Sequence, residues 1–286
     1  GSYNDKERKN LLDSWWDWAD DEEKLSLFYQ MYEAAKLTYH EYEHIRNPTT
    51  PADQFDYAFT WGTAAFYALD MRGQRDYTRT TNDRVLGQTQ MQRFKDWLGS
   101  DAVKNASAVF IISPVPVVHV KSFVVNYLDI LTLTDDMRDQ WEHETNWAER
   151  DELLDAMFKV AHEYGKSLYV LSGDVHIGAA FRLTHKDYPD TLVYQLTSSA
   201  ITYDLPWLQA SALAWAVKDR GFLQRDADNS EPKVAFQLLM EPCKTNNFAL
   251  INVQSADQGK VEVSWDLYGS TEQDAKVTKL QRIVLE

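Results

Sequence analysis

A single cysteine, Cys243, stands in 286 residues, so no disulfide can form within the chain. Eleven glycines and eight prolines are too few for a collagen-like or low-complexity chain. No apolar run reaches the roughly 18 residues that a membrane-spanning helix needs. The opening "GSYNDKERKN" carries no hydrophobic signal-peptide region. Positive charge is scarce: 29 Lys and Arg face 44 Asp and Glu, for a net charge of −15 and a pI near 4.9. That balance argues against nucleic acid as a bulk partner, because phosphate-backbone binders carry a basic face. An acidic surface can instead concentrate divalent cations. What is present is a packing composition, 44% hydrophobic and 13% aromatic, with length enough for a sizeable core. These features assign no compartment.

The order of elements reads from periodicity. Residues 20–45 form a helix with Phe28, Met31, Ala35, Tyr39 and Tyr42 as its apolar stripe, stopped by Asn47-Pro48 and Pro51. Strands follow over about 57–69, then a helix over about 87–98. "SAVFIIS" at 107–113 is a buried strand that runs into "PVPVVH". A helix over 148–165 ends at Gly165 as a C-terminal cap, and a strand from Leu168 to Leu171 comes at once. "TLVYQLTSS" is a further strand. The last third gives two strands around Asp257-Gln258-Gly259 and a final one near "KLQRIVLE". An alternating middle and a strand-rich end predict an α/β fold, a sandwich with mixed sheets.

The chemistry concentrates in "SLYVLSGDVHIGAAF", Ser167 to Phe181. In an extended chain, residues two apart face the same way, so Asp174 and His176 project together past a strand end. Open α/β sheets place their ligands at that edge. A carboxylate and an imidazole both suit hard or borderline divalent metals. Gly173 lets the backbone turn there. On these letters alone, a turn aspartate beside a half-exposed histidine is the competing reading.

Six ordered segments widen the context: "LDMRGQR" at 69–75, "LGQTQMQRFKDWL" at 86–98, "VFIISPVPV" at 109–117, "ERDELLDAM" at 149–157, "VLSGDVHIG" at 170–178 and "LTSSAIT" at 196–202. In this order the chain resembles the PhoD-like (alkaline phosphatase D-like) branch of the calcineurin-like metallophosphatases. The resemblance implies an αββα-type mixed-sheet sandwich and a phosphomonoesterase or phosphodiesterase that works through a two-metal-activated hydroxide. It implies two divalent or trivalent ions (Fe, Ca, Mn or Zn) and a small phosphoester as substrate. Asp174 and His176 would be metal ligands. Arg72 and Arg75 would contact phosphate, with Asp70 orienting them. His119 would lie beside the site. Relatives place a ligand histidine where this chain has Ser113-Pro114, so Ser113 receives no such role. The family draws its first ligands from segments ahead of everything seen here, and "GSYNDKER" is similar to residues just after one of them. Residues 1–286 are therefore expected to be a C-terminal portion of a single metallophosphatase domain.

Two other function classes stay open at this point. His40-Glu41-Tyr42-Glu43-His44 fits the H-E-x-x-H pattern of zinc proteases. Against it, His40 and His44 lie off the apolar stripe, the helix ends at Asn47-Pro48, and no third ligand follows on a second helix. A non-catalytic α/β remnant with an incomplete metal set is the other class. Finally, Trp15, Trp16 and Trp18 crowd together before the first helix, as a core plug or as an aromatic rim on a cleft.

Overall fold

The structure is a computed structural model that describes residues 16–48, 50–51, 54–75, 84–127, 140–202, 205–223, 231–255, 261–271 and 274–285. The helices are α1 (Asp21–Tyr42), α2 (Gly87–Leu98), α3 (Asp101–Asn105), α4 (Ser122–Tyr127), α5 (Trp147–Tyr164) and α6 (Trp207–Ala216). The strands are β1 (Tyr57–Trp61), β2 (Ala64–Ala68), β3 (Ala108–Ser113), β4 (Leu168–Ser172), β5 (Ala179–His185), β6 (Tyr188–Thr197), β7 (Arg220–Phe222), β8 (Val234–Leu238), β9 (Asn247–Ser255), β10 (Val261–Thr271) and β11 (Asp274–Leu285).

Eight of these strands make one sheet in the order β1-β2-β3-β4-β6-β5-β8-β7, and β11-β10-β9 make a second. In the large sheet β2, β3, β4 and β6 run parallel, so their C-terminal ends share one edge. The remaining strands add antiparallel to either side. Strands buried on both faces read as unbroken apolar runs, and "AVFIIS" of β3 is one.

The period of two sorts the sheet's faces. One face carries Tyr67, Val109, Ile111, Val170 and Val193 beneath the helices, where Met91, Phe94 and Leu98 of α2 meet Leu153, Leu154, Met157 and Phe158 of α5. The other face carries an aromatic ladder across five strands, Phe59, Phe66, Phe110, Tyr169 and Tyr194, each opposite the next in register. Successive ring centroids lie 4.7, 5.0, 5.2 and 5.8 Å apart, a spacing at which stacked rings attract. The small sheet covers this face with Val263, Trp265, Leu267 and Leu285. The described layers are therefore helices, large sheet and small sheet.

Two helix ends explain themselves. Gly165 closes α5 in the left-handed region, φ 60° and ψ 42°, as its position predicts. The start of α2 has no side-chain cap of its own. Glu149 of α5 supplies it, accepting from the Val85 and Leu86 backbone N–H groups. Burial pushes this carboxyl above the usual carboxylate range, against the pull of the two N–H donors.

Helix α1 departs from its sequence reading. Asp20 and Glu23 form a full capping box, but the expected apolar stripe is not buried. Met31 is 44% exposed and Tyr42 73%. Periodicity decides which residues share a face, not whether a partner covers that face. Trp16 is half-buried and Trp18 exposed, so Trp18 plugs no core. Trp15 lies outside the described residues.

Candidate metal and phosphate site

Asp174 and His176 follow β4 directly, at the shared edge of the parallel strands. Residues 174–177 do not continue the strand. They bend, with φ of 68° at Asp174 and 58° at His176. The expected strand alternation therefore does not govern them; one tight turn brings them together instead. Non-glycine residues avoid that region, although Asp and His tolerate it better than most, and such conformations collect at functional sites.

Long-range partners hold the turn. Val175 N–H donates to the Gly173 carbonyl at 2.9 Å, and Gly173 N–H to that of Pro114 at 3.3 Å. His176 N–H donates to Ser199 Oγ at 3.3 Å. Asn247, at the start of β9 and 2% exposed, accepts from Ser199 N–H at 2.9 Å and donates to the Ser199 carbonyl at 2.8 Å. A Cβ on Gly178 would stand 3.1 Å from the Asn247 amide oxygen, so the loop's far end must approach as glycine. Gln140 donates from Nε2 to Asp174 Oδ2 at 3.2 Å and is itself buried.

Behind Gln140 lies a buried ionic cluster. Glu142 accepts from Lys218 at 2.6 Å and lies 3.5 Å from Arg150, which also meets Asp151 at 3.2 Å. Burial lowers the Lys218 pKa, with Glu142 opposing that. Sequence reading missed Gln140, Glu142, Arg150, Lys218 and Asn247. Only the "ERDELLDAM" segment carried a signal, and its Glu149 and Arg150 prove to be a helix cap and a buried cluster member.

On β2's side, Asp70 organises a second turn. Its carboxylate accepts from Arg72 N–H at 2.9 Å and from Gly73 N–H at 2.9 and 3.1 Å. Gln90 of α2 clamps the Asp70 backbone from both sides, at 2.8 and 2.7 Å. Asp70 thus orients the backbone that carries Arg72. Arg72 is exposed and Arg75 buried. The ends of β2 and β4 are two strand spacings apart, roughly 10 Å. A Cβ on Gly73 would fall 2.3 Å from Asp70 Oδ2. Gly73→Ala is therefore expected to displace the carboxylate and lower kcat/KM for a phosphoester about tenfold, since small misplacements at a site are costly. A kcat/KM within about twofold of wild type would show that this turn does not position a reacting group.

The expectation for His119 is corrected, and Ser113 and the H-E-x-x-H segment take their places. His119 is not brought to the open edge: it is 2% exposed, its ring 6.3 Å from that of Phe181, and neither ring nitrogen has a hydrogen-bond partner among the described residues. Gln195 of β6 grips Val118 through both amide atoms and draws this segment into the core. Ser113 is buried and donates to the Val115 carbonyl at 2.6 Å. The H-E-x-x-H segment is split between α1, which stops at Tyr42, and a 3-10 turn that starts at His44; the two rings lie 5.0 Å apart, but both His44 nitrogens are engaged elsewhere. His44 Nε2 bonds Thr50 Oγ1 at 2.8 Å, Nδ1 meets Asn47 at 3.4 Å, and burial lowers its pKa.

Among the described residues no three His, Cys, Asp or Glu side chains gather to hold a metal ion. Asp174 and His176 supply an oxygen and a nitrogen donor, which fit part of one divalent cation's shell. No helix among the described residues is long and apolar enough to cross a membrane.

The described residues form an α/β protein of helix–sheet–sheet layers, with an acid–imidazole turn and an arginine-bearing turn on its parallel edge. Residues 5–255 match the model of the PhoD-like phosphatases, and the chain belongs to that family. No curated protein sequence matches it. Among solved structures it is similar to a purple acid phosphatase from yellow lupin (Lupinus luteus) seeds, with 8% identity and a TM-score of 0.37. The alignment covers 83% of this chain and 33% of that protein, so the chain spans about a third of its length.

Proposed function

We propose that this chain carries part of the site of a metal-dependent phosphoester hydrolase, in which residues 1–286 belong to one domain. The observation that carries the reading is the Asp174–His176 turn, two ligand-type side chains in left-handed backbone at the parallel edge, two strand spacings from the Asp70–Gly73 turn. Membership of the PhoD-like phosphatases supports it.

Asp174 and His176 would hold an ion, one of a proposed pair drawn from iron, calcium, manganese and zinc. A bound cation supplies positive charge to the phosphoryl group and lowers the pKa of water. Gln140 holds the Asp174 carboxylate in one orientation through its amide donor. The Arg72 guanidinium presents paired donors that match two phosphate oxygens, on a turn that Asp70 keeps fixed. Arg75, buried two residues after Gly73, would be a second phosphate contact.

The test uses the full-length protein with p-nitrophenyl phosphate and its bis-ester. Dialysis against a chelator is expected to reduce turnover about 100-fold, and added manganese or zinc to restore it. Turnover that survives chelation unchanged would sink the reading.

A further inference from the structure

A cavity of about 500 Å³ opens beside Arg72, at the ends of β2 and β3. Its walls are aromatic: Tyr32 and Tyr39 come from α1, Phe55 and Tyr57 from the chain entering β1. Tyr39 and Phe55 meet edge to face with centroids 5.3 Å apart, and Tyr39 stacks on the buried His44 at 6.0 Å. The rings are therefore held by their neighbours and do not collapse into the space. Burial raises the phenol pKa of both Tyr39 and Tyr57, which keeps these walls neutral.

Position gives the cavity its meaning. One rim is the Asp70–Gly73 turn. Another is Pro114, whose carbonyl accepts from Gly173 N–H at 3.3 Å, one residue before Asp174. The cavity thus adjoins the Asp70–Gly73 turn directly and the Asp174 turn through Pro114. It also gives part of α1 a role: Tyr32, Ala35 and Tyr39, which are exposed to solvent, line this space.

We infer that this cavity is the subsite for an aryl group of the phosphoester, so that the protein selects aryl-bearing phosphoesters over short alkyl ones. The inference rests on the phosphoester reading above. Flat neutral rings at edge-to-face spacing offer a planar aromatic group contacts that a short alkyl group cannot make. The volume accepts one or two rings with room for their substituents.

Direct binding separates this inference from the reading beneath it. Phenylphosphonate and methylphosphonate carry the same charged head and differ only in the group the cavity would receive. Calorimetric titration of the metal-supplemented full-length protein is expected to give a phenylphosphonate Kd about tenfold below that of methylphosphonate. Tyr32→Ala and Phe55→Ala are each expected to cut that ratio to about twofold. Tyr32 is about half-exposed, so its variant keeps the fold, and melting temperatures verify both proteins. Equal affinity for the two phosphonates, or a ratio that both variants retain, would overturn the aryl subsite and leave the phosphate site standing. Failure to bind either phosphonate would overturn both.

Discussion

Asp174→Asn and His176→Asn should each lower phosphoester turnover by about 100-fold or more in the full-length protein, with the fold intact. The magnitude follows from the role, because even outer partners of metal ligands typically cost about 10- to 100-fold when removed. Asparagine is the informative substitution at both positions. Like Asp and His, it tolerates the left-handed backbone, found here at φ of 68° and 58°. Asp174→Asn removes charge at constant shape; His176→Asn removes the imidazole without the strain that alanine would add. Asp174 is exposed and His176 half-buried, so neither change opens a core cavity. Melting temperature should move by no more than about 2–4 °C, the shift that about 1 kcal/mol produces in a chain of this size. Turnover within about threefold of wild type in both variants would remove them from the metal site. A large fall in melting temperature would mark the turn as structural.

Acid should destabilise the fold through His119, and His119→Leu should relieve it. The imidazole is sealed in the core, and burial pushes its pKa down to about 3. Unfolded, the same group titrates near its ordinary value of roughly 6.5. The folded pKa is the lower one, so the unfolded chain binds the extra proton. The stabilising contribution is complete above about pH 6.5 and is lost as pH falls towards 3, by about 1.4 kcal/mol per pH unit. At neutral pH the variant should be as stable as wild type or more so, since both ring nitrogens lack hydrogen-bond partners among the described residues and an apolar side chain of similar size strands none of those. At pH 5 it should exceed wild type by about 2 kcal/mol beyond any neutral-pH difference. Urea unfolding of both proteins at pH 7 and pH 5 measures this, and the comparison cancels other groups such as the buried Glu149. Parallel loss of stability in the two proteins would show that His119 is protonated, or reached by water, in the folded state.

Much of the local structure was legible because it depends on neighbours in the chain. The helix over 87–98 follows from its apolar spacing, and its bounds agree with α2. Gly165 had to cap α5, because only glycine enters the left-handed region at little cost. β3 reads as a doubly buried strand from its unbroken apolar letters. Asp174 and His176 are near neighbours because only Val175 separates them, whatever the backbone does between.

What failed to show are interactions between residues distant in the chain. Asn247 meets Ser199 across 48 positions, Gln140 meets Asp174 across 34, and Gln195 meets Val118 across 77. Asn and Gln have no periodic signature, and their partners depend on which strand ends come side by side. That in turn rests on β6 inserting between β4 and β5, an arrangement the spacing of strands does not specify. The same packing overrode two local readings. His119 ends a Pro-rich segment expected to bring it beside the site, yet Gln195 pulls that segment inward. Helix α1 has an apolar stripe, yet most of it is exposed, and Tyr32 and Tyr39 wall a cavity beside the sheet. The sequence by itself determined the strongly periodic elements, the α/β class and the neighbouring acid and imidazole, because local spacing sets backbone preference and face; α3, α4, α6, β5, β7 and β8 carried too little periodicity to be read. Tertiary structure alone decided the left-handed turn, the buried supports behind it and the aromatic cavity beside it, because each needs surfaces that meet only once the sheets have assembled.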